Sequence, residues 1–360
     1  MKAKLTVIIG VLAGLGLFCY ALKGVDFVRF SETCRQADYA LLALAVFTNI
    51  AEAFMRGAKW KLLLDPVNRV RVWDSFRMET AGLALNNVLP FRLGEILRGT
   101  AGAGVFRMPV VTVFATIVVE RALDVIALVL LLFIVGISGK AEGEIFQHKL
   151  AMLLLFIAVA AGICAVIFAD RLIKFKMLEP LFSRFKFLKN ILSQIATGAL
   201  AFKSWKRGII TVLAAMFQWC VNSFTILVLV YAFHLQDMLG PAHCIVVTVA
   251  SAIACSVPAM PGFFGNYEAG VAAVMGVWGV QKDAAFALAF AGHIIGYITI
   301  TLTGLIFVYG LGYSVGKVWN FRSSGEKQPG TGLAGKSAAD EAAAQSGGDI
   351  VKPAGSKGAL

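Results

Sequence analysis

Charge is scarce in this chain: Asp, Glu, Lys and Arg make up only 15% of its 360 residues, against roughly 25% in a soluble domain. Cysteine is equally uninformative as chemistry. The six cysteines are scattered, mostly inside apolar runs, and no two form a CxxC pair. That spacing excludes a disulfide framework or a cysteine metal site, and leaves the cysteines as small apolar residues. The four histidines, His148, His234, His243 and His293, lack metal-ligand spacing. No nucleophile–base constellation stands out either. One nucleotide-like pattern, GTGLAGKS at 330–337, follows EKQP and has 23 residues after Ser337. A phosphate-binding loop of that form works only between a buried strand and a helix. Neither a metal, a cofactor nor an enzymatic activity is therefore expected.

Hydrophobic sequence is abundant instead, at 59% of the chain. Crossing a hydrocarbon core of ~30 Å takes about 20 helical residues. Full spans are expected near 5–22, 39–56, 109–137, 149–169, 208–234 and 284–314. The first follows Lys2 and Lys4 but precedes no A-x-A cleavage site, so it reads as an anchor rather than a signal peptide. Two further apolar stretches are interrupted. One, 78–104, breaks at Pro90 and Gly94; the other, 243–280, breaks at Pro258, Pro261, Gly262 and Gly265. Proline removes a helical donor and clashes with the preceding turn. Each stretch should be two short helices around a bend, most economically a re-entrant hairpin.

The net charge of +12 does not point to nucleic acid, because the basic residues cluster between apolar runs. Arg56, Lys59, Lys61, Arg69, Arg71 and Arg77 fall in an expected loop at 57–77 or at its edge, and a second basic loop covers 171–207. Such loops stay cytoplasmic. Within the second loop, 179–203 mixes Leu, Ile and Phe with basic residues and reads as an interfacial segment on anionic lipid. With the chain in the cytoplasmic membrane and both termini on its cytoplasmic side, the pattern fits six spans and two hairpins dipping from opposite faces. The result is an all-α integral membrane domain over 1–319, and it looks like an inverted repeat. PFRLGE at 90–95 and PGFFGNYE at 261–268 mark matching breaks. Interrupted apolar segments at matching places in two halves point to a transport site. Residues 320–360 are polar, aperiodic and rich in Gly, Ala, Ser and Lys, and read as a disordered cytoplasmic tail.

Charge inside the apolar segments is the strongest functional signal. The first hairpin holds Arg92, Glu95 and Arg98; VVERALD places Glu120, Arg121 and Asp124 mid-span; the second hairpin adds Glu268. Seven such charges left unpaired would cost on the order of 20 kcal/mol. They must face one another or a wet cavity. Arg92, Glu95 and Arg98 recur every three residues, close enough to interact on one helical face. Glu52 and Arg56 are expected to pair locally, while Gln218 and Asn222 share a face. His293 stands alone on its helix as a possible proton relay. A structural ion-pair lock is the competing reading of the whole set.

RGAKWKLLLDP at 56–66, NNVLPFRLGEILRG at 86–99, VVERALD at 118–124 and SVPAMPGFFGNYEAG at 256–270 together resemble the lysylphosphatidylglycerol synthase transmembrane-region family. The resemblance covers roughly 5–315. In bifunctional members such a domain flips a lipid made by a fused aminoacyltransferase domain, which has no counterpart in this sequence. The resemblance thus implies translocation of a phospholipid or polyprenyl-phosphate-linked lipid without lysyl transfer. It directs attention to Asn87, Pro90, Arg92, Gly94, Glu95, Arg98, Glu120, Arg121, Pro261, Gly262, Gly265 and Glu268. Membrane lipids are the expected partners, together with a lipid-synthesising enzyme or a glycosyltransferase. The alternatives are a scaffold for envelope-lipid synthesis and an enzyme acting on a lipid phosphate.

Overall fold

The structure, a computed structural model, describes residues 12, 15–16, 18–89, 92–138, 198–256 and 261–310, all within one compact unit, Met1–Gly312. The expected spans 5–22 and 149–169, the segment 179–203, Pro90, Pro258 and the tail with its GTGLAGKS run lie wholly or largely outside the described residues.

Among the described residues the fold is all helical. The helices are α1 (Phe27–Gln36), α2 (Tyr39–Leu64), α3 (Val72–Val88), α4 (Leu93–Phe106), α5 (Val110–Ser138), α6 (Trp205–Ala232), α7 (Pro241–Ser256), α8 (Asn266–Val277) and α9 (Lys282–Gly310). Short 3-10 turns cover Ala199–Lys203 and Pro261–Phe263. Helices α2, α6 and α9 are long and apolar enough to cross a membrane. Their outer faces carry large exposed apolar side chains, among them Phe47, Phe217 and Ile306. The interior meanwhile buries Glu52, Lys59, Glu79, Arg98, Glu120 and Asp124. A surface this apolar around a charged interior suits lipid rather than water as the surrounding medium.

Local chemistry sets the helix ends. Asp38 caps α2, its carboxylate accepting from the Ala40 and Leu41 N–H groups at 2.8 and 3.2 Å. Such a cap satisfies donors that the first helical turn leaves free. The Asp38 N–H donates to the Ala232 carbonyl at 2.9 Å, joining the start of α2 to the end of α6. From there the two run antiparallel, through Thr225 with Thr48 and Gln218 with Glu52. Helices α3 and α9 also pack antiparallel. Phe76 meets Phe307 at 5.4 Å, and the Asn87 amide donates to the Thr301 hydroxyl at 2.9 Å.

The expected loop 57–77 is largely helix. Helix α2 continues eight residues beyond 56 to Leu64, and α3 already starts at Val72, so the connection is only 65–71. Two contacts carry α2 onward: Lys59 turns inward to bury its ammonium, and Lys61 pairs with Asp65 four residues ahead. Both are inter-turn or interior partners that offset the polarity of the sequence there.

Each interrupted stretch folds back on itself. In the first, Glu79 meets Arg98 and Asn86 lies beside Gly94, so α3 and α4 run antiparallel. Gly94 is not at the break, as the sequence suggested, but in the first turn of α4. A Cβ there would run into the Gly82 carbonyl and Asn86, so Gly94 serves close helix contact. In the second, the Asn266 amide donates to the Ala254 carbonyl at 3.0 Å, and α7 and α8 likewise run antiparallel. Gly262 and Gly265 adopt φ of +74° and +87° in this turn, a conformation that side chains bearing a Cβ resist.

Candidate functional site

A buried charge network occupies the interior between α2, α3, α4, α5 and α6. Its centre is Arg98 on α4, whose guanidinium reaches Glu79 of α3 at 2.6 Å and also pairs with Glu120 of α5. The Trp60 ring lies 3.9 Å from that guanidinium and donates its indole N–H to Thr116 at 3.0 Å. Lys59 of α2 pairs with Asp124, lies 3.6 Å from Glu120 and donates to the Gln218 side-chain carbonyl at 3.0 Å. Gln218 in turn donates to Glu52 at 2.6 Å, which also accepts from Arg56 at 2.5 Å. The Trp219 indole donates to Asp124 at 3.2 Å. At the edge, Arg121 joins Asp124 at 3.1 Å and Glu95 at 3.3 Å.

Five carboxylates thus face four cations: Glu52, Glu79, Glu95, Glu120 and Asp124 against Arg56, Lys59, Arg98 and Arg121. Most are sealed, with Lys59, Glu79 and Glu120 fully buried. The edge is open, since the side chains of Arg121 and Glu95 are 33% and 26% exposed. Burial of so many charges is tolerable only because each has a counter-charge in reach. Glu79 is the least satisfied. Its Oε2 faces Arg98 without a well-directed hydrogen bond, and its Oε1 has no partner.

A second polar centre lies in the second hairpin. His293 of α9 has Nδ1 2.6 Å from Glu268 Oε1 and Nε2 2.8 Å from the Gly262 carbonyl. A carbonyl only accepts, so Nε2 is the donor to Gly262, and Nδ1 faces Glu268. Glu268 Oε2 accepts the Gly265 N–H at 2.7 Å, holding the turn to the first coil of α8. The imidazole packs between Phe264 and Tyr267, with ring centroids 4.6 and 4.7 Å away.

Arg92 connects the two hairpins. It is exposed, with φ +52°, immediately before α4. Its guanidinium donates to the Cys255 carbonyl at 2.7 Å and sits 5.4 Å from the Phe263 ring. The ends of the two hairpins therefore meet at this arginine. Among the described residues no carboxylate pairs with Arg92.

Several expectations change with this geometry. Arg92, Glu95 and Arg98 do not share one helical face, because α4 begins only at Leu93. Each goes to a different partner: Cys255, Arg121, and Glu79 with Glu120. Glu268 meets His293, which the sequence placed alone on its helix and which finds its partner on α8. Asn87 is engaged by α9 rather than by the network. The local pair Glu52–Arg56 forms as the spacing indicated. Sequence reasoning misses Lys59 and Glu79 as site residues: Lys59 falls in the expected loop 57–77, and Glu79 at the start of the broken stretch 78–104. A signal was available: Glu52, Arg56 and Lys59 fall at i, i+4 and i+7, on one face of a helix.

The fold and the interior charges define an α-helical membrane protein whose polar core is enclosed by apolar helices. The chain belongs to the lysylphosphatidylglycerol synthase TM region family, whose model matches residues 7–304. It is 22% identical over 301 residues to a UPF0104 membrane protein of Methanothermobacter thermautotrophicus, covering 78% of this chain and 86% of that one. No solved structure matches it.

Proposed function

We propose that this protein translocates a lipid with a phosphate-bearing head group across the cytoplasmic membrane, as a flippase or scramblase rather than an enzyme. Arg92 carries the reading: an exposed guanidinium with no carboxylate partner among the described residues, placed where two hairpins meet. Such a group offers a planar fork to a phosphate. The arginines of the network are already committed to carboxylates and serve mainly to hold the bundle open around a polar interior. Arg121 and Glu95, at its exposed edge, are the next contacts along the path.

In this account the α3–α4 and α7–α8 pairs are re-entrant hairpins entering from opposite faces. The sequences 39–138 and 205–310 are then inverted repeats, consistent with the antiparallel course of α2 and α6. Six spans, with both termini cytoplasmic, complete the topology. The head group passes through the polar centre while the acyl chains stay in lipid. The substrate is a phospholipid or polyprenyl-phosphate-linked lipid, as befits a family named for a lipid synthase. Purified protein in liposomes tests this. Head-group-labelled phospholipid should become accessible to an external quencher faster than in protein-free liposomes. Equal rates across anionic, zwitterionic and polyprenyl-phosphate probes, with and without protein, would leave the scaffold reading in its place.

A further inference from the structure

A cleft of about 450 Å³ lies away from the charge network, where the end of α2 and the 65–71 connection meet the start of α6. Its polar lining is Lys61, Asp65, Arg69 and Arg207, and its apolar lining includes Leu62 and Ile210. Asp65 is already occupied. It pairs with Lys61 and accepts the Val70 N–H at 3.1 Å. Arg69 and Arg207 are exposed and, among the described residues, have no acidic partner. The lining therefore carries an excess of two positive charges beside an apolar wall.

The wall continues upward. Ile210, Leu213 and Phe217 are 53%, 57% and 59% exposed and follow one face of α6 at spacings of three and four residues. Trp205, 71% exposed, stands at the start of the same helix with the Lys206 ammonium 5.9 Å from its ring. Tryptophan and basic residues at a helix end mark the level of the membrane–water interface. From Thr211 in this cleft to Gln218 in the network is seven residues of α6, or about 10 Å along its axis.

We propose that this cleft is a binding site for an anionic phospholipid. Arg69 and Arg207 hold the head-group phosphodiester, and an acyl chain lies along Ile210, Leu213 and Phe217. The charge excess selects an anionic over a zwitterionic head group. The apolar stripe selects a lipid over a free phosphate. Basic pockets between membrane helices at the cytoplasmic side have this recognition chemistry. Occupancy is an equilibrium property, so it stands whether or not the chain transports lipid.

The test is thermal stability of the purified full chain in dodecyl maltoside micelles. Phosphatidylglycerol, phosphatidylcholine with the same acyl chains, and inorganic phosphate are titrated separately. Phosphatidylglycerol should raise the melting temperature saturably, with phosphatidylcholine and inorganic phosphate far weaker. Arg69→Gln with Arg207→Gln should weaken the phosphatidylglycerol effect roughly tenfold or more, while Arg35→Gln, on exposed α1, should leave it unchanged. Both cleft arginines are exposed, so the substitutions spare the core. The two single variants, each expected to show part of the loss, serve if the double variant does not fold. An equal response to phosphatidylcholine would overturn the charge selection. An equal response to inorganic phosphate would make the ligand a free anion. Unchanged phosphatidylglycerol binding in the arginine variants would remove the cleft from consideration.

Discussion

Replacing Arg98 with glutamine should be among the most damaging single changes in the interior. Arg98 is 2% exposed and bridges two carboxylates brought by different helices, Glu79 from α3 and Glu120 from α5. Its loss does not affect them equally. Glu120 still has Lys59 at 3.6 Å, whereas Glu79 has, among the described residues, no other ion-pair partner within 4 Å and an Oε1 already without a hydrogen bond. Removing one member of a buried pair costs about 3–5 kcal/mol, chiefly because the other charge is stranded. Arg98→Gln should therefore destabilise by that amount. Adding Glu79→Gln removes the stranded charge and should return stability to within about 1–2 kcal/mol of wild type. Arg98→Lys should fall between, because a point charge cannot reach both carboxylates as a fork does. Reversible unfolding in mixed micelles titrated with denaturing detergent measures all four proteins. The reasoning fails if Arg98→Gln loses less than about 1 kcal/mol, or if the double variant is no more stable than the single one.

Gly94→Ala should weaken the first hairpin by about 1–3 kcal/mol, read as a lower melting temperature, because its Cβ meets the Gly82 carbonyl rather than a movable side chain. His293→Phe keeps a ring between Phe264 and Tyr267 but leaves the buried Glu268, among the described residues, with the Gly265 N–H as its one remaining partner. It should destabilise by about 3 kcal/mol, and Glu268→Gln in the same chain should recover most of that loss in the same unfolding assay. Glu95→Gln, at the exposed edge, should shift stability by less than about 1 kcal/mol.

Much of the architecture was legible because membrane helices announce themselves by length and hydropathy. The segments 208–234 and 284–314 correspond to α6 and α9, both long and apolar enough to cross a membrane, and 109–137 corresponds to the helix α5. Both proline- and glycine-broken stretches do fold back as paired short helices. What failed was the end of α2, because Lys59 and Lys61 look like loop residues when counted as charges. Only the tertiary partners, Asp124 and Gln218 for Lys59, explain why the helix continues. The same limit applies to the site. Sequence spacing brought together residues on one segment, but the network joins residues from five helices. His293 and Glu268 are 25 residues apart, on helices separated by a turn, so no local pattern relates them.

The central claim rests on Arg92, whose contacts are to a carbonyl and a ring rather than to a carboxylate. Its replacement strands no buried charge, so transport and stability should separate. The decisive measurement is head-group-labelled phospholipid translocation in proteoliposomes for wild type, Arg92→Lys and Arg92→Gln, alongside their melting temperatures. The account predicts matched stability, partial transport for lysine, which keeps the charge but loses the fork, and transport near the protein-free rate for glutamine. Wild-type transport by Arg92→Gln at matched stability would contradict it.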